Sequence, residues 1–291
     1  MSRRGWAIIG LILLAIVVAI VSSLALLRDD STTALEQPNV PAATFTTTAT
    51  PTQTPTPAVS ALPRADQRFI VASTDSLWRA TAGACGGTEP LLERSVDGGA
   101  SWKDITPHYR GIAQVASLDP LGQDGAAAVA ATGADCTPTG LRSFTGGKFW
   151  EPDKTSLAKS RYLAFDDAGT VVSPGDDFAA PCADARGLRA SGAVVAVICD
   201  ETPYVRIGSD WTKLDAPHAV ALAIASGDLF VAQTDVAGCS GIALTRFTGA
   251  AGEGAPAGCA KDAATTGPVA ITTTASRTYV WAGNALTRVP R

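Results

Sequence analysis

His108 and His218 are the only imidazoles in this 291-residue chain, and each directly follows a proline. A zinc site needs about three or four convergent ligands, so two isolated histidines read as surface residues. A Ser–His–Asp triad is recognised by geometry rather than by order in the chain, and no G-x-S-x-G elbow marks a nucleophile. The paired acids Asp166-Asp167 and Asp176-Asp177 lie in glycine-rich loops. Calcium would take about 6–8 oxygen ligands, and the pairs read first as solvated loop acids. Glutamates are few beyond residue 63: Glu89, Glu93, Glu151, Glu201 and Glu253. No catalytic, metal-ligating or cofactor-binding set is assigned, and no cofactor is expected.

One stretch has residue types at a spacing with a definite structural use. Ser95-Val96-Asp97-Gly98-Gly99-Ala100-Ser101-Trp102 reads S-x-D-x-G-x-x-W. The aspartate carboxylate can accept backbone N–H bonds inside a tight turn, as Asx turns do. Glycine supplies the positive φ, and the tryptophan should start the next strand and pack inward. Ser143-Phe144-Thr145-Gly146-Gly147-Lys148-Phe149-Trp150 keeps Ser143, Gly147 and Trp150 in register, with Thr145 in the place of the aspartate. Gly208-Ser209-Asp210-Trp211 keeps only Gly208 and Trp211. The tryptophans are 48 and then 61 residues apart, against roughly 40–50 for a four-stranded blade. The longer gap leaves room for a shortened blade. The motif resembles the Asp-box, the repeat signature of sialidase-like (BNR-repeat) β-propellers. The resemblance implies a hairpin tip between the third and fourth strands of each blade.

The elements that must position these turns are short strands. No window sustains helical i, i+3, i+4, i+7 periodicity for long. Apolar runs instead come in pairs split by Gly, Asp or Ser: 68–73 with 76–81, 112–117 with 126–131, 162–166 with 170–173, 188–192 with 194–197, 222–226 with 229–232, and 269–272 with 278–281. Each pair predicts the two inner strands of a blade. Third strands are expected at 91–95, 140–143, 204–207, 242–246 and 285–288, with an arginine recurring near their ends as solvated edge protection. The expected fold is all-β, a propeller of about six four-stranded blades. The blade around 160–182 and the last blade are short of an outer strand. Propellers often close by borrowing a strand from the other terminus.

Sialidases bind a carboxylate with three arginines, the first in an R-I-P motif, and use a Tyr–Glu nucleophile pair and an Asp acid. No R-I-P occurs here. Arg206-Ile207-Gly208 comes nearest, but it precedes a degenerate box and so falls on an outer strand. Glu93 and Glu151 flank box turns, and only four tyrosines are present. The resemblance is therefore to a non-catalytic member.

Residues 1–30 read as a membrane anchor. Arg3 and Arg4 precede Trp6 to Leu27, 22 residues without a charge, enough to cross a core of about 30 Å. The flanking arginines place the N-terminus in the cytoplasm and residues 64–291 outside it. A cleaved signal peptide is the alternative, with Ser23-Leu24-Ala25 as its small-residue site. Residues 31–63 hold ten Thr, six Pro and one charge, Glu36. That composition buries no core and reads as an extended disordered linker, either a bare spacer or an O-glycosylated stalk.

With 17% charged residues and a net charge of −4, nothing clusters Lys and Arg for a nucleic-acid partner. The expected function is that of a membrane-anchored extracytoplasmic binding or scaffold module for a cell-envelope protein or glycan. Non-enzymatic Asp-box proteins such as photosystem assembly factors imply the same role, although nothing here points to photosynthesis. The alternative is a divergent glycan-processing hydrolase. The central channel separates the two. Two carboxylates with several aromatics would suit the hydrolase, and a plugged or apolar channel the binding module.

All six cysteines lie in residues 64–291, and an even count in an exported domain suggests disulfides. Six cysteines allow 15 pairings, which the blade register narrows. Cys85 and Cys136 fall in loops after second strands of neighbouring blades. Cys199 ends a second strand whose partner strand follows Cys182. Cys239 follows a second strand, and Cys259 sits where a fourth should end. The expected pairs are Cys85–Cys136, Cys182–Cys199 and Cys239–Cys259, all on the face opposite the box turns, each worth about 2–4 kcal/mol.

Overall fold

A computed structural model describes residues 63–291. The expected anchor and the linker through residue 62 lie outside the described residues, among which no helix is long and apolar enough to cross a membrane.

The strands form six sheets. Blade 1 is β1 (Arg68–Ala72), β2 (Leu77–Thr81), β3 (Leu91–Ser95) and β4 (Lys103–Asp104). Blade 2 is β5 (Ile112–Leu121), β6 (Gly125–Thr132), β7 (Thr137–Ser143) and β8 (Glu151–Pro152). Blade 3 has three strands, β9 (Tyr162–Leu163), β10 (Thr170–Val172) and β11 (Phe178–Ala179). Blade 4 is β12 (Arg186–Ser191), β13 (Val194–Cys199), β14 (Thr202–Ile207) and β15 (Trp211–Lys213). Blade 5 is β16 (Ala219–Ala225), β17 (Asp228–Gln233), β18 (Ile242–Phe247) and β19 (Gly254–Ala260). Blade 6 has β20 (Val269–Thr273), β21 (Arg277–Ala282) and β22 (Ala285–Pro290). Within every sheet the chain moves to the antiparallel neighbour, and the inner strands β1, β5, β9, β12, β16 and β20 touch in ring order, β20 closing on β1. The fold is a six-bladed β-propeller.

The second strands are sandwiched between neighbouring blades, so they read as unbroken apolar runs rather than as alternating ones. All of β17 is buried, and β13 is buried from Val195 to Cys199. The cores accordingly lie between blades. Trp78 of blade 1 meets Trp150 of blade 2 edge-on at 6.1 Å, and Phe230, Leu244, Ile271 and Val280 join blades 5 and 6.

The ring closes without a borrowed strand among the described residues; blade 6 stays three-stranded. The seam is held by side chains. Arg79 lies 4.0 Å from the Trp102 ring and 4.6 Å from the Trp281 ring, while Arg68 covers Trp281 at 4.2 Å and donates to the Pro268 and Gly283 carbonyls. A desolvated cation over an aromatic face contributes about 2 kcal/mol.

Blade 3 departs from the pattern. Helix α1 (Lys154–Lys159), capped by the Asp153 carboxylate on the Thr155 N–H, follows the two-residue β8. It lies on β7 where Gly140 makes room; a Cβ there would sit 2.7 Å from the Leu157 nitrogen. The chain leaves α1 beside the β12–β13 turn, where Arg161 donates to the Gly192 carbonyl. It reaches the β9–β10 turn beside the start of β1, where Arg64 donates to the Ala164 and Phe165 carbonyls. So β9 runs opposite to β1 and β12. The expected inner pair of this blade exists, but its inner strand is reversed because α1 has already carried the chain back across the ring.

Candidate functional site

The propeller has two unlike faces. The lower one carries the turns that join first to second and third to fourth strands in every blade but the third, whose reversed inner strand puts its β10–β11 turn there instead. The upper one carries the remaining connections.

The lower face holds the box turns. In the β3–β4 turn the Asp97 carboxylate accepts the Ala100 and Ser101 N–H groups, each at 2.9 Å, together with the Ser95 and Ser101 hydroxyls. The Ser95 hydroxyl accepts the Gly99 N–H at 2.7 Å. These bonds, the Ser101 hydroxyl first, hold the Asp97 carboxyl well below the usual range. Gly99 has φ 95°, and a Cβ there would collide with Leu286 of blade 6. In the β7–β8 turn the Thr145 hydroxyl takes the aspartate's place, accepting the Phe149 N–H at 2.9 Å, while Ser143 accepts from Gly147. In the β14–β15 turn Gly208 has φ 84°, and Asp210 receives only the Ser209 hydroxyl. Trp150 is buried as expected. Trp102 and Trp211 are half-buried; the Trp211 indole N–H donates to the Ala179 carbonyl of blade 3.

The recurring arginines do not stand free as edge protection. Arg94 pairs with Asp124 over the Trp78 ring, and Arg246 with Asp228. Arg142 pairs with Glu151, Arg206 lies 3.9 Å from the Phe178 ring, and Arg288 donates to the Gly98 carbonyl. Arg94, Arg206 and Arg288 reach the neighbouring blade, because a third strand faces that neighbour as well as solvent, while Arg142 and Arg246 pair within their own blades. Glu93 is likewise engaged, by Arg79 at 2.6 Å.

The upper face carries the three disulfides, Cys85–Cys136, Cys182–Cys199 and Cys239–Cys259, with Cα separations of 6.1, 6.0 and 5.7 Å. These are the expected pairs, and the first joins blades 1 and 2. Pro63 to Arg68 lie across the upper end of the central channel beside Arg186 and Val269, leaving a cavity of about 40 Å³. Of the loop acids, Asp167 accepts from Gly169 and Thr170 in the β9–β10 turn on this face, whereas Asp177 accepts from Ser173 in the β10–β11 turn at the lower rim, beside Arg161. His218 meets Glu201 at 3.1 Å on the surface. Among the described residues no group of three or more His, Cys, Asp or Glu is placed to hold a metal.

The candidate site is the lower end of the channel, a cavity of about 690 Å³. Strands β1, β5, β12, β16 and β20 line its walls, Phe144, Lys159 and Arg161 its rim. Arg189 lines both this cavity and the upper one and so forms the floor. Its guanidinium donates to the Leu188 and Arg68 carbonyls and lies 5.3 Å from the Phe69 ring. Burial pushes it down to about 10, against the pull of Asp119. Asp119 is exposed to the cavity, yet protein walls surround it, and this desolvation raises its carboxyl above the ordinary value despite Arg189. Asp153, the other carboxylate in the lining, is committed to the Ser156 hydroxyl, the Thr155 N–H and Arg142, which hold its pKa down.

None of these cavity residues stood among the sequence-derived candidates. The signal was an ionisable residue inside an apolar inner strand: Asp119 in Val115-Ala116-Ser117-Leu118-Asp119 and Arg189 in Leu188-Arg189-Ala190. A charge on an innermost strand faces either the channel or a neighbouring blade, as Arg68 does over Trp281.

No family model and no curated protein matches this chain. Solved structures do. A mutant of AofleA from Arthrobotrys oligospora, three arginines changed to alanine, superposes with a TM-score of 0.50 at 11% identity, over 79% of this chain and 84% of that one. The SapL1 lectin in complex with α-methyl fucoside gives 0.47 at 15%, over 79% and 94%. The GH43 protein BlXynB from Bacillus licheniformis gives 0.35 at 11%, over 76% and 51%. At these identities the likeness is one of fold.

Proposed function

We propose that the protein is a non-catalytic, Asp-box type propeller that binds a cell-envelope glycan or protein through the lower end of its channel. Residues 1–30 anchor it with the N-terminus in the cytoplasm, and residues 64–291 stand outside on the 31–63 linker. Three disulfides support the oxidising compartment. The observation that carries the binding reading is the carboxylate inventory of the cavity. Glycoside hydrolysis uses two carboxyl groups across the scissile bond. Here Asp119 stands alone, because Asp153 serves as a helix cap. A floor of backbone-bonded Arg189 and a rim with the exposed Phe144 ring make a receptor for a polar body with one apolar face.

A hydrolase remains the second reading, favoured by the raised Asp119 carboxyl, which suits a general acid. Fluorogenic glycosides offered to the purified full-length chain separate the two. The binding reading expects no turnover, and turnover abolished by Asp119→Asn overturns it. Crosslinking in the native membrane, with and without Phe144→Ala, identifies the partner. Loss of the crosslinked species in the variant places the contact at the lower face.

A further inference from the structure

Resting on that reading, we propose that the lower cavity selects a small anionic ligand, its carboxylate or phosphate held between Lys159 and Arg161 and its body laid against Phe144. The chain as a whole carries a net charge of −4, yet four cations line this cavity: Arg142, which is paired with Glu151 and Asp153, and three more, Lys159 and Arg161 at the rim and Arg189 on the floor. Among the described residues none of the three is in an ion pair, although Arg79, Arg94, Arg142 and Arg246 all are. The two rim cations are there because of α1. Its six residues turn the chain back across the ring and set Lys159 and Arg161 beside the β12–β13 turn.

Arg161 is held in place, donating from Nε to the Ser173 hydroxyl at 3.2 Å and from Nη1 to the Gly192 carbonyl at 2.8 Å. Lys159 is exposed. A fixed guanidinium with donors to spare beside a free ammonium is chemistry for a compact anion. Asp119 lines the same cavity and opposes an anion set against it, which favours holding the charged end at Lys159 and Arg161. The cavity volume, about 690 Å³, falls within the roughly 300–1,000 Å³ of small-molecule sites.

Calorimetric titration of the full-length chain with glucuronate, glucose 1-phosphate, glucose and inorganic phosphate tests this. Both charged sugars should bind at least about tenfold more tightly than glucose, as one charge-assisted hydrogen bond implies. The preference should shrink between about 50 and 500 mM salt. Lys159→Gln, whose exposed side chain makes no hydrogen bond, should weaken the charged sugars several-fold and leave glucose unchanged; Lys159→Gln with Arg161→Gln should abolish the preference. Comparing the two charged sugars separates carboxylate from phosphate. Glucose binding as tightly as glucuronate overturns the anion assignment and leaves a glycan reading intact. Inorganic phosphate binding that Lys159→Gln weakens, with no sugar bound, keeps the anion site and overturns the glycan reading. Charged-sugar affinity unchanged in both variants, or no binding of any probe, overturns the assignment.

Discussion

The two faces of the propeller are built by different means. The upper face is cross-linked by three disulfides, and the entering chain lies over its channel. The lower face is made of hydrogen-bonded turns and left open to a cavity. A ring of blades needs both faces shaped but only one open. Covalent bonds lie where the channel is covered, and hydrogen-bonded turns where it is open.

That contrast is open to attack. The largest effect should come from Trp150→Ala in the second box turn. The side chain is 1% exposed and packs on Trp78, so its loss should cost about 3–5 kcal/mol, read by urea denaturation. Next come the staples. Replacing Cys85 and Cys136 together by serine should cost about 2–4 kcal/mol, and about 1 kcal/mol more than replacing Cys182 and Cys199, because the longer loop is freed; the separations are 51 and 17 residues. Equal losses would mean that the inter-blade staple does no more than a local one.

The box aspartate should show its effect through pH. The folded Asp97 pKa lies below the unfolded value, so its contribution is complete above the unfolded pKa, about 3.9, and is lost as pH falls below that. Asp97→Asn should therefore lower Tm at pH 7, with the gap to wild type closing on acidification; Asp210→Asn, which loses only the Ser209 hydroxyl, should change Tm little at pH 7. Asp119 has the opposite sign. Its raised pKa means that stability falls as pH rises through the window above about 3.9. Asp119→Asn should raise Tm at pH 7, which thermal melts at pH 4 and pH 7 would show as a gain at the higher pH only.

Blades were legible in the sequence wherever burial on both faces makes a strand continuously apolar, as in Val194–Cys199, or a turn needs Asp97 and Gly99. The cysteine pairing followed from that register, since antiparallel order alone assigns each cysteine a face. The reversal of blade 3 was not legible. It depends on α1, whose six residues carry no apolar period, and its cue, Asp153 followed by Thr155 and Ser156, is common to many loops. The arginines misled because an outer strand was taken to face water, whereas Arg206 faces Phe178. The cavity was hidden for a simpler reason. Asp119 of β5 and Arg189 of β12 come from different blades and line one cavity only once the ring is closed.

The way the chain enters has a mechanical side. Residues 63–67 lead from the upper mouth into β1, which runs down the channel wall and pairs with β2 through five residues, Arg68↔Thr81 to Ala72↔Leu77. Ladder bonds lie perpendicular to the strand. Tension pulling residue 63 away from the upper face therefore acts along β1 and loads those rungs together, in shear. A pull across the face would unzip them one by one. Before β1 feels that load, Arg64 must let go of the Ala164 and Phe165 carbonyls across the ring, which makes that tie the first link to yield under strain.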